Sequence, residues 1–279
     1  MLKNEKHSTL RTAVQWSDYS IDPRYFVLLF LLSFVLGGQI YLNFYQKWDA
    51  IIAAIATTSS LELLIVRIFH GKWKFPLSAV ITGFGISLLI SSYLLWPFIL
   101  TAFLAITIKF LVRYKGGHIF NPNNVAVVLV LFFLPQFVVS TPKQWTNGFE
   151  VMAVILSLGI LACFIAQRLD TVISFLSGFV LFAFVRHLFF GAPLLAALGP
   201  LMGAALQLFM FFMITDPKTT PTTRKARIAF GLCVAAVDAI FRINRFANPQ
   251  FYALFLVTLI GIPLYRMIVS KRMQTLSAN

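Results

Sequence analysis

Two polar connections in this 279-residue chain place groups able to bind a ligand beside residues that break helices. They read RYKGGHIFNPNN at 113–124 and FMITDPKTTPTTRK at 212–225. Asn-Pro and Asp-Pro favour turns, so Asn121 and Asp216 can each cap the turn that follows. The functional alternative is that amide, carboxylate and hydroxyl groups converge at a cavity mouth and orient a polar ligand. On that reading Phe120, Asn121, Pro122, Asn123, Asp216, Pro217, Thr219 and Thr220 bind a cofactor or line the cavity. Thr222 and Thr223 with Lys218, Arg224 and Lys225 add donors of the kind a phosphate takes, although a solvated basic loop accounts for these charges more simply.

Charges inside apolar stretches form the next set. Glu62 is preceded by Thr57, Thr58, Ser59 and Ser60. An ionised carboxylate in hydrocarbon costs about 2.5–3.5 kcal/mol on insertion scales, so Glu62 must face the protein interior or a cavity. It is then either a proton or cation site, or a neutral acid bonded to nearby hydroxyls. Asp238 precedes Arg242 by one helical turn, and residues so spaced share a face. They read as an internal pair, with Asp238 a second candidate on an ion pathway. Arg186 and His187 lie near a segment end and suit an interfacial role.

Several chemistries find no support. His118 stands without a second ligand at useful spacing, so no metal site is expected. Cys163 and Cys233 lie in apolar stretches and read as packing residues, without a disulfide framework. There is no nucleophile with a base at recognisable spacing, no metal-binding helix motif and no phosphate-binding glycine loop. No catalytic residue is expected.

The elements that must position these groups are membrane helices. The chain is 59% hydrophobic and 11% charged, where soluble domains carry roughly 25% charged residues. Ten apolar segments follow one another at 25–44, 49–68, 76–93, 96–113, 123–140, 149–167, 171–190, 195–214, 226–242 and 250–269. Stretches of this length between short polar connections read as membrane spans. Trp48, Trp73, Trp96 and Trp145 flank them as interfacial anchors.

Lysine and arginine set the orientation. With the N-terminus inside, eighteen of them fall on the cytoplasmic side and five outside. The net charge of +14 is thereby explained as topology, and no nucleic-acid motif accompanies it. The expected organisation is a cytoplasmic tail at 1–24, one domain at 25–269 in a cell (inner) membrane, and a cytoplasmic tail at 270–279. The first tail lacks the pattern of a signal peptide. The lipid bilayer is the first partner.

The domain repeats internally. Pro76-Leu77 opens PLSAVITGFG, and Pro200-Leu201 opens PLMGAALQLF. Asn121-Pro122 follows Pro76 by 45 residues, and Asn248-Pro249 follows Pro200 by 48. Halves at about 25–140 and 149–269, each of five helices, must lie in opposite orientations, which is the inverted repeat of many transporters. Pro and Gly at the starts of segments three and eight suggest helices that begin partway into the membrane. Such backbone survives only if buried or lining a cavity. Ser78, Thr82 and Gly83 of the first element and Asn248 of the second then join the candidate site.

The motifs PLSAVITG, HIFNPNN and ITDPKTTP, in that order, resemble the NqrB/RnfD family, the membrane subunits of Rnf and Nqr redox pumps. The resemblance covers roughly residues 25–269, and the Asn-Pro before the last helix is similar to that family's second-half motif. It implies an all-α integral membrane protein of about ten transmembrane helices in two inverted five-helix repeats, with urea-channel-like architecture. It also implies a subunit, non-catalytic or electron-carrying, of a flavin-based complex that moves sodium ions or protons, with other redox subunits as partners. Family members attach a flavin mononucleotide to a Thr in a Ser-Gly-Ala-Thr type motif, which this sequence lacks. Thr141 and Thr146 of the 141–148 connection stand in a different context. Covalent FMN is therefore not expected, and non-covalent FMN or riboflavin remains compatible with the chain. The competing expectation is a stand-alone channel or carrier for a small solute or ion, without redox chemistry.

Overall fold

The computed structural model describes residues 22, 24–41, 48–140 and 149–278. The N-terminal tail up to Ile21 and the 141–148 connection, with Thr141, Trp145 and Thr146, lie outside the described residues.

Each of the ten apolar segments begins as a helix. The first half holds α1 (Arg24–Tyr41), α2 (Trp48–His70), α3 (Leu77–Leu89), α4 (Trp96–Leu111) and α5 (Pro122–Phe133). The second holds α6 (Phe149–Ile165), α7 (Leu169–Phe190), α8 (Leu194–Leu198), α9 (Ala204–Leu208), α10 (Arg224–Ile243) and α11 (Pro249–Ala278). Helix ends carry sensible signals. Asp49 opens α2, while Arg67 and His70 close it, matching charge to the helix dipole. Gly191 ends α7 in the left-handed conformation at φ 67°, the usual C-terminal stop.

Length and hydropathy together separate these helices, among the described residues, into two kinds. Three are long and apolar enough to cross a membrane: Trp48–His70, Leu169–Phe190 and Pro249–Lys271. A fourth crossing arises if Leu194–Met202 and Ala205–Met213, bent by 63°, act as one. By contrast α3 has 13 residues and α5 has 12, about 20 and 18 Å at 1.5 Å per residue. Both fall short of a hydrocarbon core of about 30 Å. Where segments three and five leave the helix they become β1 (Ile90–Ser91) and β4 (Val139–Ser140), paired antiparallel. That pairing meets the backbone needs of two broken segments. The expected C-terminal tail also begins inside a helix, because α11 continues to Ala278.

Packing joins the elements within each half and between them. In the first half α2 lies against α3 and α4, α4 against α5, and α1 against α3. In the second, α7 lies against α8 and α10, α10 against α11, and α6 against α9. The halves meet through α1 with α6 and α5 with α11. One core contains Phe98, Phe175, Phe209 and Phe251; a smaller one under α1 contains Phe30, Leu31, Phe84 and Leu208. Large apolar side chains also face outward, among them Ile68, Phe69, Leu111, Phe133, Phe189 and Leu195. So much exposed apolar surface suits contact with lipid.

Candidate functional site

The 113–118 stretch is a hairpin. Strand β2 (Arg113–Tyr114) pairs with β3 (Gly117–His118), and Lys115 and Gly116 between them have φ 47° and 78°. Two positive φ values make the mirror-image turn that tight hairpins favour, and Gly116 takes one at no steric cost. Arg266 of α11 then fastens this hairpin to the 215–218 turn. Its Nη1 donates to the Tyr114 and Gly117 carbonyls at 2.7 and 2.8 Å. Its Nη2 donates to the His118 and Lys218 carbonyls at 2.7 and 3.2 Å. One guanidinium thus holds both polar connections.

Asn121 and Asp216 act as structural caps and also meet each other. Asn121 Oδ1 accepts the Asn123 and Asn124 amides at 3.0 and 3.2 Å, capping α5. Its Nδ2 donates to Asp216 Oδ2 at 3.4 Å. Asp216 Oδ1 accepts the Lys218 amide at 3.0 Å, and Oδ2 accepts the Thr219 hydroxyl at 3.2 Å. Thr220 closes the turn on the Asp216 carbonyl at 2.8 Å. Burial pushes the Asp216 carboxyl above the usual carboxylate range, against the opposing pull of the Lys218 amide and the Thr219 hydroxyl.

These connections form the polar end of a cavity of about 230 Å³ lying between the halves. Ser78, Thr82, Asn121, Pro122, Asn123, Asp216 and Pro217 line it. Apolar residues line it as well: Val27 and Leu31 of α1, Leu88 of α3, and Leu208, Phe211 and Phe212 of the broken segment. Residues 209–213 take π-helical geometry, with the Ile214 amide donating to the Phe209 carbonyl at 3.1 Å. Such single-turn widenings are frequent at functional sites. The Phe211 carbonyl accepts the Thr215 hydroxyl and the Cys163 thiol instead.

His118 contributes an acceptor. Its Nδ1 faces the Lys109 carbonyl at 2.8 Å, and a carbonyl can only accept, so Nδ1 carries the proton and Nε2 a lone pair. Burial above all, and then the Lys218 charge, lowers its pKa to about 4. The ring is neutral near pH 7. Asn123 Oδ1 makes no hydrogen bond, so a modest rotation of that amide would turn an acceptor toward the cavity. Gly85 permits this wall: a Cβ there would stand 2.1 Å from Asn123 Nδ2.

The other candidate residues fall outside the lining. Gly83 faces α2, where a Cβ would meet Ile55 Cα at 2.6 Å and Thr58 Oγ1 at 2.8 Å. Phe120 is buried behind the wall, stacked on Phe255 at 5.1 Å. Thr219 and Thr220 brace Asp216. Asn248 precedes α11, roughly 26 Å along that helix from Arg266 at 1.5 Å per residue. Glu62 is ion-paired to Lys109 at 2.5 Å. Asp238 is 1% exposed and ion-paired to Arg242 at 2.6 Å, away from the lining.

Lys109 itself, together with Arg24, His118 and Lys218, lines the cavity. In the sequence Lys109 registers only as a topology charge. Its signal was available: a cation in segment four complements the carboxylate of segment two. Among the described residues no group of three His, Cys, Asp or Glu side chains could hold a metal ion.

Comparison with known proteins gives one family. Residues 146–274 match the model of the NQR2, RnfD, RnfE family, and no curated protein matches the chain. The matched stretch contains Cys163, Phe211, Phe212 and Asp216 of the cavity. Ser78, Lys109, His118 and Asn121 lie before it.

Proposed function

We propose, from the match of residues 146–274 to the NQR2, RnfD, RnfE family, that the chain is a membrane subunit of an ion-translocating electron transport complex, with its cavity holding a non-covalent flavin. The observation that carries this reading is the convergence of Asn121 and Asp216, from the two most distinctive connections, on one cavity with an aromatic wall. An isoalloxazine ring presents an apolar face and an edge with an N–H donor. Phe211 and Phe212 are among the residues lining the cavity, as are His118, Asn123 and Asp216, whose side chains carry acceptor atoms. At about 230 Å³ it is smaller than pockets that enclose whole drug-sized ligands, so it suits a ring system. When bound, a flavin supplies reversible electron transfer; the chain binds, orients and dries it.

The inverted repeat belongs to the same proposal. The contacts of α2 with α4 and α4 with α5 in one half correspond to α7 with α10 and α10 with α11 in the other. Two of the contacts between halves, α1 with α6 and α5 with α11, join corresponding helices, as an internal two-fold would require. Asn124 Nδ2 donates to the Phe251 carbonyl at 3.1 Å, and these residues stand three places after Asn121 and Asn248. Cytoplasmic termini are the orientation that the distribution of lysine and arginine favours, and the family match favours a cell (inner) membrane location.

The test is the absorption spectrum of detergent-purified protein before and after acid precipitation. Yellow colour released with the acid, and riboflavin binding reduced at least tenfold by Gly85→Val, are expected. A polypeptide that keeps its colour would overturn the non-covalent reading. A colourless protein that binds no riboflavin and passes solute in liposomes would instead favour the carrier, which the same cavity between halves would serve.

A further inference from the structure

Lys109 of α4 is held by two neighbouring helices. Its Nζ donates to Glu62 Oε2 of α2 at 2.5 Å and to Ser78 Oγ of α3 at 2.8 Å. The Lys109 and Glu62 side chains are 7% and 13% exposed. An ammonium has three donors, so one remains for an occupant of the cavity. Glu62 does not line the cavity, whereas Lys109 and Ser78 do. The ligand therefore meets the positive end of a buried, oriented ion pair. The other charges around it are arranged differently. Arg24 is paired with Asp22 at 2.5 Å, Lys218 lies at the exposed rim, His118 is neutral near pH 7, and Asp216 is bonded to Asn121, Lys218 and Thr219.

We propose that Lys109, fixed by Glu62 and Ser78, is a positioning residue that favours the electron-rich, anionic state of the cavity ligand over its neutral state. The inference rests on the flavin reading above and assigns a charge-sensing role to residues outside the family match. A flavin that takes up two electrons and a single proton carries a negative charge on its ring. A fixed cation in a poorly solvated site lowers the free energy of that form more than of the neutral oxidised form.

The experiment measures riboflavin affinity for the purified full chain, oxidised and under anaerobic dithionite, together with the midpoint potential of the bound flavin. Wild type is expected to bind reduced riboflavin more tightly than oxidised. The paired variant Glu62→Gln/Lys109→Gln, which leaves no buried charge unpaired, should lower the ratio of the two affinities at least tenfold. For a two-electron couple that is a fall of about 30 mV. Lys109→Arg should keep the ratio within threefold. Ser78→Ala, which removes one tether with little change in volume, should lower it two- to fivefold, and it serves should the paired variant fail to fold. An unchanged ratio in the paired variant, or in Ser78→Ala, with oxidised riboflavin still bound overturns this inference and leaves the flavin reading standing. Failure of wild type to bind either form overturns both.

Discussion

Two buried ion pairs divide the molecule. Glu62–Lys109 joins α2 to α4 and opens onto the cavity through Lys109, with Ser78 as a second partner. Asp238–Arg242 lies within α10, where Gln250 accepts a further bond from Arg242 at 3.4 Å. The Phe179 ring lies 5.0 Å from the Arg242 guanidinium, and this second pair borders no part of the cavity lining. The chemistry is the same, a cation donating to a carboxylate, yet one pair opens onto the cavity and the other is closed by packing. Burial of charge is common to both pairs; an opening beside it distinguishes Glu62–Lys109.

Removing one partner sharpens that contrast most. Arg242→Met leaves the Asp238 carboxylate without its bidentate partner and should cost about 3–5 kcal/mol, read as a large fall in unfolding midpoint. The double variant Asp238→Asn/Arg242→Met should recover most of it, with riboflavin affinity close to wild type once folded. If the double variant binds riboflavin at least tenfold more weakly, the two pairs are not separable in the way described.

A smaller effect is expected at the junction of the two connections. Asn121→Ala removes the cap of α5 and the bond to Asp216, and loss of such a cap costs about 1 kcal/mol. A lower melting temperature with weakened riboflavin binding is the expected result. A fall in stability alone would reduce Asn121 to a cap.

A third effect concerns pH. His118 in the folded chain has a pKa of about 4, below the usual value of 6.5. The unfolded chain therefore binds more protons between these values, and stability falls as pH drops from about 6.5 toward 4. Melting curves at pH 7 and pH 5 should show this loss in wild type and less of it in His118→Asn. Equal losses in the two proteins would mean that the imidazole is not held neutral.

Part of the cavity lining was legible in the sequence, namely Ser78, Thr82, Asn121, Pro122, Asn123, Asp216 and Pro217. Asn-Pro and Asp-Pro announce turns because proline restricts the residue before it and removes a donor. The same dipeptides mark Asn121 and Asp216, which the fold brings together. The ten apolar segments are legible for the same local reason, since runs of apolar residues at this length form helices. Gly83 and Gly85 were not separable in sequence. They are two residues apart in α3, and only the packing of α2 on one side and Asn123 on the other gives them different roles.

What the sequence determined is therefore local and additive: helical segments, breaks at Pro and Asn, and the lipid-compatible surface. Tertiary structure decided which helices are long enough to cross, because the extended pairing of Ile90–Ser91 with Val139–Ser140 replaces helix at the ends of two segments. It also decided that Lys109 meets Glu62 across 47 positions of chain, and that Arg266 binds four carbonyls from two distant connections. Such pairings depend on the relative placement of helices, which side-chain packing sets and hydropathy does not encode.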